Sequence, residues 1–365
     1  MESRSVADIL EEGLRQGASD WHFREGRPVC VRVAGTIRAL PDVADREFML
    51  TLFDEVVSAE MRERYDLTGD ADFAFHRQGV GRFRVNLHRQ RGQMAFALRH
   101  VKERVPSLPE LGLPPILLDL AEARNGIVFV SGSTGAGKST TLACMIEHIN
   151  RVRPCHIVTI EDPIEYYFED RTAIVQQREV GLDTVSFESG LRHALRQDPD
   201  VIVIGELRSR DSFESALAAA ETGHLVLTTL HTTTAGQSIN RILDFYDYAE
   251  RDAVRANLAG NLRAIVCQRL IPNAEGSGLV PINEVMLNTP TVRNIIIENT
   301  LNKLYSAISA GLQEGMQTFN YALLQLVQEG TITEETALAF ASNPDALRMN
   351  MQGIFLTEDS RIVNA

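Results

Sequence analysis

Residues 126–140, Gly-Ile-Val-Phe-Val-Ser-Gly-Ser-Thr-Gly-Ala-Gly-Lys-Ser-Thr, run an apolar strand pattern into a glycine-rich turn that closes on Lys138 and Ser139. Few local patterns restrict a chain as much. The spacing G-x-x-x-x-G-K-[ST] is met by Gly132, Gly137, Lys138 and Ser139, and it predicts a strand, a phosphate-wrapping loop and a helix. Glycines let the backbone of Gly132, Ser133, Thr134, Gly135, Ala136 and Gly137 turn its N–H groups inward around a phosphate chain. Lys138 then reaches the terminal phosphates, and the Ser139 hydroxyl is placed for Mg²⁺. The helix predicted from Thr140 over residues 140–150 adds partial positive charge at its N-terminus.

The alternation of apolar strand and helix recurs. Residues 127–130, 157–160, 201–204 and 225–230 are nearly continuous apolar runs separated by helical patterns, which predicts an α/β fold with a mostly parallel sheet covered on both faces. From about residue 252 the pattern reads as helical, with one further strand near 282–287 and helices to the end. Upstream, residues 6–16 have helical spacing ended by Gly17, and strands are predicted at 29–34, 71–75, 82–90 and 93–100. Between the two regions, residues 106–115 hold four prolines and read as a stiff, ordered linker. The expected division is a small N-terminal α+β domain at 1–105, a linker at 106–115, and a sheet domain with a helical C-terminal part at 116–365, in keeping with two or three domains for 365 residues.

The net charge of −13 is unevenly spread: residues 1–105 carry 17 basic and 17 acidic side chains, so the remainder holds the whole excess of acid. Within the balanced part, residues 76–104 contain Arg77, Arg82, Arg84, Arg89, Arg91, Arg99, Lys102 and Arg104 against one acid, Glu103. Such a cluster suits a polyanion, an acidic protein face, or a nucleotide held elsewhere in the protein; it also suits a plain solvated sheet face. No aromatic-interleaved signature accompanies the arginines and the acidic remainder repels a duplex, so nucleic acid is not the expected partner. Cys30, Cys144, Cys155 and Cys267 form no C-x-x-C pair, against both a disulfide framework and a zinc site. No apolar run is long enough to insert in a bilayer and the start does not read as a signal peptide, so a cytoplasmic location is expected.

In parallel sheets ligands sit at the carboxyl ends of strands, so the residues there are informative. The run 201–206 ends in Glu206, in the form of a Walker B element that holds Mg²⁺ through water or polarises the attacking water. The run 157–160 leads to Glu161, Asp162 and Glu165, one of which is a candidate to orient or deprotonate water. The run 225–230 ends in His231, suited to hydrogen-bond a γ-phosphate and report its loss. One polar strand end is ordinary where a chain re-enters solvent. Acid, acid and histidine together beside the phosphate loop are not.

Five segments together resemble the secretion ATPase superfamily, the GspE/PilT family. They are Gly-Ala-Ser-Asp at 17–20, the phosphate loop at 132–139, Thr-Ile-Glu-Asp-Pro-Ile-Glu at 159–165, Leu-Arg-Gln-Asp-Pro-Asp-Val-Ile-Val-Ile-Gly-Glu at 195–206, and Thr-Gly-His-Leu-Val-Leu-Thr-Thr-Leu-His-Thr at 222–232. Their order and spacing match the Walker A, Asp box, Walker B and His box elements. The short chain, the missing tetracysteine motif and the stretch Gly-Met-Gln-Thr-Phe at 315–319 resemble the PilT-type retraction ATPases of type IV pili.

The resemblance implies a RecA-like P-loop NTPase domain with a PAS-like N-terminal domain, and an ATP- and Mg²⁺-dependent motor. It implies Glu165 as catalytic glutamate, Glu206 as Walker B acid, Glu161 and Asp162 beside the nucleotide, and His224 with His231 as the His-box pair. It gives Arg84 and Arg99 the task of reaching nucleotide from the smaller domain, with Arg192 and Arg196 as a second basic pair. It further implies a homo-hexamer under the inner-membrane platform protein of a pilus, peripheral to the cytoplasmic membrane, driving retraction and twitching motility. The run Thr-Val-Arg-Asn-Ile-Ile-Ile-Glu at 291–298 departs from the family's Ala-Ile-Arg-Asn-Leu-Ile-Arg-Glu by placing Ile297 where a second arginine stands. That leaves hydrolysis untouched and opens the variant of an accessory retraction paralogue. The alternatives of another class are a RecA-like nucleic-acid motor and a nucleotide-gated assembly protein with little turnover.

Overall fold

The computed structural model describes residues 4–33, 35–102 and 104–354. Ala34 and Glu103, together with the first three and last eleven residues, lie outside the described residues. The chain forms two compact units, Met1–Arg104 with Glu165–Tyr167, and Val105–Ile164 with Phe168–Ala365.

The first unit opens with helix α1 (Val6–Arg15), whose start is fixed by a capping box between Ser5 and Asp8. Strands β1 (Ala18–Arg24), β2 (Arg27–Val33) and β3 (Thr36–Ala44) follow, then helices α2 (Arg46–Val56) and α3 (Ala59–Thr68), and strands β4 (Asp70–Arg77), β5 (Gly81–Gln90) and β6 (Gln93–Val101). They make a six-stranded antiparallel sheet in the order β3-β2-β1-β6-β5-β4. Period-two alternation sorts its faces: Phe83, Val85 and Leu87 enter the core, and Arg82, Arg84, Asn86 and His88 take the other side. The core joins these to Trp21, Phe23, Phe96 and Leu98 and to Ile9, Leu10, Phe48 and Leu52 from the helices. Trp21 and Phe83 meet edge to face with ring centroids 5.5 Å apart, and Trp21 donates Nε1–H to Ile9 O at 3.3 Å, so its polar atom is satisfied in an apolar setting. Sequence periodicity leaves out β1, β3, α2 and α3. In β3 only Leu40 and Ala44 are buried and Pro41 interrupts the run, so an edge strand carries almost no alternating signal.

The second unit begins with the proline-rich stretch. Leu108 and Leu113 are buried, and the Cys144 thiol donates to Pro106 O, so residues 105–115 pack as part of this unit instead of bridging two others. Burial pushes that thiol up to about 12, which keeps it protonated and inert. There follow α4 (Ile116–Ala121), β7 (Gly126–Ser131), α5 (Lys138–Val152), β8 (His156–Glu161), β9 (Ile174–Glu179), α6 (Phe187–Ala194), β10 (Val201–Ile204), α7 (Arg210–Glu221) and β11 (Leu225–Leu230). Then come α8 (Ala235–Leu243), α9 (Arg251–Asn261), β12 (Leu262–Pro272), β13 (Leu279–Leu287), α10 (Pro290–Ile297), α11 (Leu304–Ala310), α12 (Phe319–Gln328), α13 (Glu334–Phe340) and α14 (Pro344–Met351).

The sheet order is β13-β12-β7-β11-β10-β8-β9, with only the β12–β13 pair antiparallel. Every residue of β7, β10 and β11 is buried, as a parallel sheet covered on both faces requires. The expectation of helix from residue 252 holds for α9 and fails at β12, eleven residues long. α9 passes into β12 directly after Gly260 and Asn261, with no loop between them, and Arg263, Gln268 and Arg269 break the apolar run of β12. Only pairing with β7 and β13 decides its conformation.

Candidate active site

The parallel strands bring their carboxyl ends to one pole of the second unit, and the loop after β7 lies there. At Gly132 an added Cβ would sit 2.4 Å from Gln268 O, and at Gly137, where φ is 83°, it would sit 2.9 Å from Gln268 Nε2. At Gly132 the backbone oxygen leaves no room for a side chain; at Gly137 the left-handed φ strains any other residue and Gln268 Nε2 would have to shift, which explains both glycines of the spacing. Lys138 opens α5 and is buried, donating from Nζ to Gly132 O at 2.7 Å and Ser133 O at 3.1 Å. Ser139 and Thr140 follow in the first turn of the same helix.

Because β11 lies between β7 and β10, His231 falls between Lys138 and Glu206. Its Nδ1 is 3.5 Å from Lys138 Nζ and its Nε2 is 3.1 Å from Glu206 Oε1. Glu206 also accepts from Arg208 through Nε at 2.8 Å and pairs with Nη2 at 2.7 Å. Burial works to raise the Glu206 carboxyl, but the Arg208 hydrogen bond and the His231 and Arg208 charges outweigh it and hold the group below the ordinary carboxylate range. Glu206 is therefore an anion at neutral pH. Arg208 is raised mainly by its hydrogen bond to Glu206, with a small contribution from the charge of Asp162. The sequence reading missed Arg208, although it lies only two residues past Glu206.

The His231 segment is anchored from beneath. Thr232 N–H donates to Ser131 Oγ at 3.2 Å, the Thr232 hydroxyl lies 2.7 Å from Ser238 Oγ, and Ala235 N–H donates to the buried Glu284 at 2.8 Å. Burial raises the Glu284 carboxyl.

Glu161, at the end of β8, accepts from Thr159 Oγ1 at 2.6 Å and Gln177 Nε2 at 3.1 Å, so its orientation is set by its own sheet. Asp162 is exposed. Ile164 N–H donates to the buried Glu179 at 3.1 Å, fixing the backbone just before Glu165. Glu165 is exposed and groups with the first unit, where its carbonyl accepts from Lys102 N–H at 3.3 Å.

Within the first unit, Arg84 and Arg99 are direct cross-strand partners, and Asp20 is in register with Arg99 on the other side. Arg99 Nε donates to Asp20 Oδ1 at 2.8 Å. Burial tends to raise Asp20, and hydrogen bonds from Ser19 and Arg99 bring it below the ordinary range, so the pair is ionic at neutral pH. Arg84 forms no ion pair among the described residues.

His224 is not with the phosphate loop. It precedes β11, its Nδ1 lies 2.8 Å from Ala219 O, and its carbonyl accepts from Gly126 N–H at the start of β7. A six-residue strand separates it from His231, seven steps or about 23 Å at roughly 3.3 Å per residue. Arg192 and Arg196 are exposed on and just after α6. Arg196 lies beside Gln197, whose carbonyl meets His156 at the start of β8, so it too belongs to the far pole. A cavity of about 480 Å³ opens at that pole and takes Arg293 into its lining, so the departing run at 291–298 stands apart from the phosphate loop.

The pattern of the family described as type II/IV secretion system protein matches residues 3–338. The type IV pilus retraction ATPase PilT of Pseudomonas aeruginosa is 39% identical over 342 residues, covering 93% of this chain and 99% of its own. The type IV pilus ATPase PilU of the same organism is 41% identical over 346 residues, covering 93% and 90%. A crystal structure of the pilus retraction motor PilT with bound ADP superposes with a TM-score of 0.85 at 42% identity, covering 94% of this chain and 98% of that one.

Proposed function

The chain belongs to the type II/IV secretion system protein family, and on that premise we propose that it is an ATP-hydrolysing motor that retracts a type IV pilus and so drives twitching motility. The observation that carries this reading is near full-length similarity to a retraction ATPase, combined with Lys138, His231 and Glu206 in one continuous contact series. ATP lies along the loop from Gly132 to Thr140, with Lys138 at its terminal phosphates. Ser139 and Glu206 offer a hydroxyl and an anionic carboxylate, hard oxygen donors of the kind Mg²⁺ takes. Bound there, Mg²⁺ neutralises charge on the phosphates.

Glu165 serves as the general base that orients water, and Glu161 and Asp162 shape the polar strand end around it. His231, in reach of both Lys138 and Glu206, senses whether the γ-phosphate is present. Arg84 and Arg99 supply positive charge to the transferring phosphate when nucleotide is bound, a contribution on the order of 10³ to 10⁵ in other phosphoryl-transfer enzymes. Motion of the first unit then couples hydrolysis to work. Arg84→Ala and Arg99→Ala are each expected to lower kcat by about tenfold or more while changing ATP affinity less than threefold. Unchanged kcat in both would return the arginines to a solvated sheet face.

The working form is a homo-hexameric ring that engages the inner-membrane platform protein from the cytoplasmic side. Among the described residues no helix is long and apolar enough to cross a membrane. The similarity to PilU and the half-exposed Ile297 at the end of α10 favour one second reading, an accessory retraction paralogue. Deleting the gene in its host and counting surface pili separates the two. Hyperpiliation is the result expected of the retraction motor, an unchanged count marks the accessory role, and bald cells would overturn retraction altogether.

A further inference from the structure

Gln268 is buried on β12, the strand beside β7, and makes no use of solvent. Its Nε2 donates to Ala136 O at 2.7 Å, inside the phosphate loop. Its Oε1 accepts from Thr141 Oγ1 on α5 at 2.7 Å and from Asn283 Nδ2 on β13 at 3.1 Å. Its backbone carbonyl oxygen excludes a Cβ at Gly132, and its side-chain Nε2 would crowd one at Gly137. One residue of the neighbouring strand therefore touches the first glycine, the last glycine and a carbonyl between them. Asn283 is in register with Gln268, and its own carbonyl accepts from Gln317 Nε2 at 3.0 Å, within the stretch 315–319. The loop is thus tied by side-chain amides to α5, to β13 and to that C-terminal stretch.

We propose that Gln268 is the positioning residue that holds the phosphate loop in its nucleotide-accepting shape, acting through Ala136 O. The proposal rests on the loop being the ATP site. A loop pre-set before binding need not lose conformational freedom when ATP arrives, so the brace acts on affinity. Once ATP is bound, its phosphates impose the same geometry, and the chemical step changes little.

The test uses the full chain, ATP with Mg²⁺, and Gln268→Met, which keeps length and removes both hydrogen-bonding groups. Expected are a dissociation constant and KM raised about tenfold or more, with kcat within about threefold. Gln268→Glu places an acceptor against Ala136 O when ionised and a donor when protonated. Its KM should be high at pH 8 and fall towards the wild-type value as pH is lowered, with wild type measured over the same range. Should Gln268→Met fail to fold, Thr141→Val, which removes one hydroxyl partner of the amide, should still raise KM about threefold. Affinity and KM within twofold of wild type in the folded variants, or a kcat loss at constant KM, would overturn the brace. Failure of the wild-type protein to bind ATP would instead overturn the assignment of the loop.

Discussion

Replacing Lys138 by alanine is expected to reduce ATP turnover by about 10³-fold, equivalent to about 4 kcal/mol of lost transition-state stabilisation. The ammonium is the buried cation of the loop, held by Gly132 O and Ser133 O and 3.5 Å from His231. Water has little access there, so a bulk cation does not replace it. Affinity for ATP should fall as well, since one charge-assisted contact is worth about 1.5 to 3 kcal/mol. Phosphate release assayed beside equilibrium binding measures both losses, and a thermal melt guards against a folding defect from removing a buried stem. Turnover within tenfold of wild type would mean that hydrolysis occurs elsewhere.

Glu165→Gln should separate binding from chemistry. The amide is nearly isosteric and cannot take a proton, so turnover is expected to fall by about 10² to 10⁴ while ATP affinity stays within threefold. Because Glu165 is exposed, its loss should leave the melting temperature unchanged. Glu206→Gln should behave differently. It removes the anion that Arg208 and His231 both contact, so Mg²⁺-dependent nucleotide binding should weaken together with the rate. Wild-type turnover in Glu165→Gln would refute its role as base and return the question to Glu161 and Asp162.

The sequence makes legible what is fixed by near neighbours. The loop from Gly132 to Ser139 follows from spacing, and the strands ending before His231 and Glu206 follow from short apolar runs that a buried parallel sheet demands. What depends on pairing is hidden. β12 becomes a strand because β7 and β13 flank it, and Gln268 meets Ala136 across 132 positions of sequence. Glu179 supports the turn before Glu165 from 15 residues away, with no local motif to announce it. The pairing of His224 with His231 misleads for the opposite reason. Their nearness in sequence is a strand length in space, and the strand points one of them away from the loop. Arg99 reads as an available cation until the sheet register sets Asp20 beside it.

β11 has a mechanical consequence. It is bonded along both edges, to β7 and β10, and all six of its side chains are buried. Sliding it by one residue would turn each of those side chains to the opposite face, and sliding it by two would mean a jump of about 6.6 Å at 3.3 Å per residue. The strand is therefore a fixed rail. A change at His231, the residue that follows it, is thus not passed to the far pole by sliding of β11.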